Sequence, residues 1–266
     1  MDIDFCLDYV NAVNEARGPA WRYDEMKSCG VDFSSFFVAR LYDKYHQTFR
    51  DYRRESEQIV AALGLDSSAT VLDMGCGTGA FVIHAAPHYR KIYAVDISRA
   101  MLSRARRKAR KTGLTNIEFH RGGFLTYEHT DDPVDAIVSV VALHHLPDFW
   151  KLVALHRLAS MLRPDGRLYL FDVVFSFDIK QYEPSVERFV EKMNVRTMPD
   201  GRRAAQTHVR EEYGTCGWIM EGLLERAGFR IDDADYKEGF LAAYLCTRKP
   251  EPAAVERLTA AARQLR

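Results

Sequence analysis

The chain has 266 residues, of which 37 are basic and 37 acidic. Balanced charge gives no global attraction to nucleic acid or an anionic membrane, and the length suits one large domain with embellishments. Cys6, Cys29, Cys76, Cys216 and Cys246 show no C-x-x-C spacing, which argues against a zinc ribbon or a disulfide framework and for reduced thiols. The acidic start, Met1-Asp2-Ile3-Asp4, is unlike a secretory signal, and the most apolar stretch, near 136–143, is too short to span a bilayer. A cytoplasmic protein without a membrane partner is expected.

Residues 1–65 read as a helical arm. Apolar spacing predicts helices over 3–16, 34–45 and 50–63, the last closed by Gly64 at the position glycine favours after a helix. Phe36, Phe37, Leu41, Tyr42, Tyr45 and Phe49 form an aromatic-rich set expected to pack the arm against the α/β domain.

At residue 66 the pattern changes to alternating strand and helix. Thr70-Val71-Leu72-Asp73-Met74 reads as a buried strand, and Gly75-Cys76-Gly77-Thr78-Gly79 as a sharp turn into a helix. Such a junction aims free backbone N–H groups at a ligand and lets that ligand lie against the main chain. Gly75-x-Gly77-x-x-Ala80 also satisfies a dinucleotide fingerprint. Asp73 argues against that choice, because a carboxylate there would repel a pyrophosphate and attract a ligand carrying a cation. S-adenosylmethionine, a sulfonium with an α-ammonium group, is such a ligand. A second strand, 91–96, ends in Asp96, at the interval where an acid meets ribose hydroxyls. Ser98 is placed to cap the next helix, whose basic run from Arg104 to Lys111 reads as a solvated, dipole-complementing face. Further strands are expected over 117–120, 134–141 and 167–174, which together predict an α/β, Rossmann-like, doubly wound and mostly parallel sheet.

On Val71-Leu72-Asp73-Met74-Gly75-Cys76-Gly77-Thr78-Gly79, Ala94-Val95-Asp96-Ile97-Ser98 with Met101 a turn later, Asp135-Ala136-Ile137-Val138-Ser139, and Leu162-Arg163-Pro164-Asp165-Gly166-Arg167-Leu168, the chain resembles the class I S-adenosylmethionine-dependent methyltransferases, type 11-like small-molecule group, over about 67–249. The resemblance implies seven strands ending in an antiparallel hairpin. It implies S-adenosylmethionine as cofactor and S-adenosylhomocysteine as product, held by Asp73, Gly75, Cys76, Gly77, Gly79, Asp96, Ile97, Met101, Gly123, Phe124 and Val140. Cys76 is then a turn residue lining the pocket rather than a nucleophile. Tyr42, or a neighbour on the arm, would cap cofactor or substrate. Relatives carry an acid at the Gly123 position that accepts from the adenine amino group; without it, adenine falls to backbone groups, Phe124, Ile97 and Met101.

The fourth strand delivers His144 and His145 to the ligand end of the sheet. His145 is the candidate catalytic residue, as cofactor contact or proton acceptor. A histidine pair without further ligands is a poor metal site, so no metal is expected. Asp148 would cap the following helix. Residues 175–213 fall outside the alternation; Val186, Phe189, Val190 and Met193 mark an amphipathic helix ending before Thr197-Met198-Pro199-Asp200-Gly201, read as a substrate lid, with His208, Arg210 and Tyr213 as candidate substrate contacts. A hairpin over 229–247 and an amphipathic helix over 250–266, docked or used to form a homodimer, close the chain. The expected domains are thus 1–65, 66–249 and 250–266. The expected reaction is in-line methyl transfer to an O, N or C nucleophile of a small molecule. An RNA or protein acceptor and a non-catalytic cofactor-binding protein are the alternatives, and the charge balance argues against nucleic acid.

Overall fold

In the computed structural model, residues 19–27, 29–30, 35–48, 50–196 and 201–250 are described. The helices expected over 3–16 and 250–266 lie outside these residues except for position 250, as do Cys6, Phe49, the stretch 197–200 and the side chains of Leu41 and Tyr45.

Seven strands form one sheet in the order β3-β2-β1-β4-β5-β8-β7: β1 (Thr70–Met74), β2 (Lys91–Asp96), β3 (Ile117–Arg121), β4 (Val134–Val140), β5 (Leu162–Phe175), β7 (Phe229–Lys237) and β8 (Leu241–Arg248). A two-residue β6 (Thr215–Cys216) pairs beside β5. The first five are mutually parallel, and β8 runs antiparallel to both β5 and β7. The expected sheet and terminal hairpin are therefore both present, with β6 as an addition. Because side chains alternate along a strand, Val71 and Leu72 feed opposite faces. One core gathers Val71, Ile92, Ala94 and Val138 under α2 (Tyr52–Leu63) and α3 (Ala80–Ala85); the other gathers Leu72, Met74, Val95 and Ile137 under α5 (Asp148–Met161) and α8 (Gly217–Arg226).

Caps fix several helix ends as expected. Gly64 closes α2 in the left-handed conformation at φ 56°. Ser98 accepts from the Met101 N–H at the start of α4 (Arg99–Lys111). Asp148 departs from its expected role: Pro147 precedes the helix, and Asp148 sits in the first turn, accepting from Lys151 Nζ at 2.8 Å and Thr215 Oγ1 at 3.1 Å. Strand β5 begins five residues earlier than expected. Pro164-Asp165-Gly166 is still a bend, a bulge between Leu162, which pairs with Val134, and Arg167, which pairs with Ala136.

The arm helix α1 (Phe36–His46) docks on α4 through Ala39, Tyr42, Ala100 and Met101. Phe36 and Phe37, expected to pack, are instead 66% and 70% exposed, since the apolar contact runs through Ala39 on another face of the helix. The basic run on α4 is partly committed inward: Lys108 and Arg104 pair with buried Asp43 of α1 at 2.7 and 3.7 Å.

The amphipathic helix of the insertion is α6 (Tyr182–Arg196). It packs Phe189 and Val190 against Ala205 and Val209 of a second helix, α7 (Gly201–Glu211), and against Phe240 and Phe175. Nothing in the sequence pattern marked α7, whose apolar face is mostly alanine. Phe189 meets Phe240 edge-on at 5.0 Å between centroids. Phe189→Ala is expected to cost about 3–5 kcal/mol of packing in this cluster, read by urea unfolding and by faster proteolysis within 182–211.

Candidate functional site

Gly75, Gly77 and Gly79 all have positive φ, at 82°, 53° and 85°, so the turn uses a backbone path that side chains disfavour. A Cβ on Gly75 would overlap Cβ of Ala142, which places the loop after β4 directly against the glycine turn. The N–H groups of Gly75 and Cys76 both reach the Val95 carbonyl at 2.9 Å, and the N–H of Gly77 donates to Asp96 Oδ2 at 2.8 Å. Asp96 also accepts from the Ser98 N–H at 2.7 Å.

Asp73 and Asp96 lie near the ends of the neighbouring parallel strands β1 and β2. Burial, and then the neighbouring Asp96, hold the Asp73 carboxyl well above the usual range. Asp96 is also raised by burial, against the lowering effect of its backbone hydrogen bonds. Buried Asp73 with half-buried Asp96 near it makes a site that a cationic ligand would relieve. Cys76 is buried, and burial with these two acids pushes its thiol upward, so a reactive thiolate is disfavoured despite its place at a helix start.

The arm reaches this turn. Thr78 Oγ1 donates to Asp43 Oδ1 at 2.5 Å, and Tyr42 stacks on His46 while packing on Met101. Tyr42 is close enough to Asp96 for that carboxylate to raise its hydroxyl, after the larger effect of burial. Ile97 and Val140 are half-buried, and Met101 is buried. The ring of Phe124 is committed to the main core rather than presented as an open face.

At Gly123 the structure brings in an acid from far away. Glu25 of the arm lies with Oε2 only 2.5 Å from where a Cβ on Gly123 would be. Its Oε1 accepts from the Leu125 N–H at 2.9 Å and from Thr126 Oγ1 at 2.7 Å. The carboxylate missing at position 123 is therefore matched by one 98 residues earlier.

Beyond β4, Val141 adopts φ 53°, costly for a β-branched residue, and the chain swings into the histidine turn. His144 is buried with Nδ1 2.5 Å from Asp172 Oδ1, and its own N–H also reaches Asp172. Its Nε2 lies 3.4 Å from Glu212 Oε2, and Glu212 also pairs with His208 Nδ1. Burial alone would lower the His144 imidazole, but Asp172 and Glu212 outweigh it and raise it to about 9. His145 is pushed the other way, to about 3, by burial and then by the His144 cation beside it. Tyr23 donates to the His145 carbonyl at 3.2 Å, and its ring meets Tyr213 edge-on. The Tyr213 N–H donates to the His144 carbonyl at 2.8 Å, and its own carbonyl accepts from buried Lys151.

His208 and Tyr213 are thus joined to the histidine turn, while among the described residues Arg210 pairs with Glu211 at 3.4 Å. Asp172, Glu212, Glu25, Tyr23 and Lys151, which sequence reasoning did not single out, are brought to this region by the fold. The premise for expecting no metal, a histidine pair lacking further ligands, does not hold, because Glu212 joins the pair.

Residues 71–166 match a family described as a methyltransferase domain. The chain carries a methyltransferase domain. An uncharacterised methyltransferase of Bacillus mycoides is 27% identical over 208 residues, covering 76% of this chain and 92% of that protein. Among solved structures, an S-adenosylmethionine-dependent methyltransferase from Clostridium acetobutylicum aligns with a TM-score of 0.61 at 16% identity, over 80% of this chain and 98% of that one. A magnesium protoporphyrin IX methyltransferase from Synechocystis, with bound S-adenosylmethionine, aligns with a TM-score of 0.57 at 17% identity, over 87% of this chain and all of that one. The fold is that of the class I S-adenosylmethionine-dependent methyltransferases, so the resemblance to that class read from the motifs is borne out. No helix among the described residues of this methyltransferase is long and apolar enough to cross a membrane.

Proposed function

We propose that this methyltransferase moves the methyl group of S-adenosylmethionine to an oxygen, nitrogen or carbon nucleophile of a small molecule. The observation that carries the reading is buried Asp73 and half-buried Asp96 set against three left-handed glycines. The ammonium of the methionyl part answers Asp73, the ribose hydroxyls answer Asp96, and Glu25 replaces the missing acid at Gly123 as acceptor for the adenine amino group.

Transfer from a sulfonium needs little acid–base chemistry, because the leaving thioether is neutral. Positioning and exclusion of water contribute most. An imidazole held near 3 is a weak proton sink, so the acceptor's proton is not handed to His145. Tyr23 and Tyr213 bond to the histidine turn and His208 of α7 lies against His144, contacts that favour a small acceptor over RNA or protein.

The test is to incubate the protein with S-adenosylmethionine and separate small-molecule, RNA and protein fractions of a cell extract, measuring S-adenosylhomocysteine by mass spectrometry. Product is expected with the small-molecule fraction. Product only with RNA or protein would move the assignment to that acceptor class.

A further inference from the structure

The sequence puts His144 and His145 side by side, which alone is no metal signature. Folding adds Glu212, at the end of α7, so that one ligand atom from each of the three residues lies within 4.8 Å of the others. The 3.4 Å between His144 Nε2 and Glu212 Oε2 matches the ligand–ligand edge of a tetrahedral centre with bonds of about 2.0–2.1 Å. His145 offers a ring nitrogen within 4.8 Å of both ligand atoms.

The surroundings are those of a ligand set rather than of a chance cluster. A metal-binding histidine needs a partner on its other nitrogen to fix tautomer and orientation. Asp172 does this for His144, at 2.5 Å from Nδ1, and is itself fully buried and anchored by the His144 and Val173 N–H groups. His208 does the same for the Glu212 carboxylate. His208 also carries a buried Nε2 with no hydrogen-bond partner among the described residues, so the cluster holds more nitrogen than its own hydrogen bonds use. Gly30, at φ 68°, leaves room for Glu212 where any side chain would collide with it.

We propose that His144, His145 and Glu212 bind one divalent transition-metal ion of the zinc or iron(II) class. Two imidazoles and one carboxylate suit those ions and leave coordination positions open, whereas magnesium and calcium prefer all-oxygen sites. Ala142, two residues before His144, touches the glycine turn, so the open positions lie beside the cofactor pocket, where the ion would take an oxygen of the acceptor. That last role rests on the function proposed above; the binding does not.

The test uses the full chain without an affinity tag, stripped with a chelator and dialysed, then titrated calorimetrically with Zn²⁺, with Fe²⁺ under anaerobic conditions, and with Mg²⁺. One Zn²⁺ per chain is expected at about micromolar affinity or tighter, with no response to Mg²⁺. Glu212→Gln should weaken Zn²⁺ binding at least about tenfold, and Asp172→Asn, acting through His144, by about 10- to 100-fold. S-adenosylmethionine titrated into the same samples reports separately on the cofactor pocket. Should Glu212→Gln fail to fold, His145→Asn carries the same comparison. No Zn²⁺ binding tighter than about 100 μM, or binding undiminished in the folded variant, would overturn the site.

Discussion

Asp73→Asn should weaken S-adenosylmethionine binding by roughly ten- to a hundredfold, the worth of a hydrogen bond to a charged group, while leaving the ligand-free protein as stable or more so. The split follows from the structure. Asp73 is 2% exposed and has no hydrogen-bond partner among the described residues, so its charge is a cost until a cation arrives. Its pKa is raised in the folded state, so that cost is absent below the unfolded value of about 3.9 and grows as pH rises above it. Binding a cation relieves the cost, so the thermal shift produced by S-adenosylmethionine should be larger at pH 7 than near pH 4. Equal affinity in parent and variant, with a flat pH response, would show that Asp73 does not read the cationic part of the cofactor.

The second large effect is expected at Gly75. Alanine there must take a left-handed φ of 82°, costing about 1–2 kcal/mol, and must also push its methyl into Ala142. Overpacking of that kind adds about 1–3 kcal/mol, and the loop it displaces carries the histidine turn. Gly75→Ala should therefore lower stability by roughly 2–5 kcal/mol and abolish measurable cofactor binding. Gly75→Ala with Ala142→Gly relieves the overlap but not the dihedral, so part of the stability should return. If the double variant recovers nothing, the contact with Ala142 is not the source of the loss.

The parts of this protein that sequence reading reached are those written in local pattern. Alternating apolar runs and three glycines at fixed spacing specify β1 and its turn, because period and φ are local properties of the chain. Ser98 and Gly64 act on N–H and C=O groups within four residues of themselves. Contacts that close over long separations left no such trace. Glu25 meets Gly123 across 98 positions, and Asp172, His144, Glu212 and His208 come from β5, the turn after β4 and the end of α7. None has a spacing that foretells the others. Helix α7 was missed because Ala204, Ala205 and Val209 make a weak apolar stripe among arginines. Phe36 and Phe37 misled in the opposite sense, since a large aromatic counts as core in a pattern even where the fold leaves it exposed.

The most direct measurement is a set of parallel calorimetric titrations of the purified protein with S-adenosylmethionine, S-adenosylhomocysteine, NAD⁺ and NADP⁺. Binding of the two sulfur nucleosides at one per chain, with no heat from either dinucleotide, is the result that Asp73 and Asp96 predict. Retention of a dinucleotide by protein that ignores S-adenosylmethionine would contradict it.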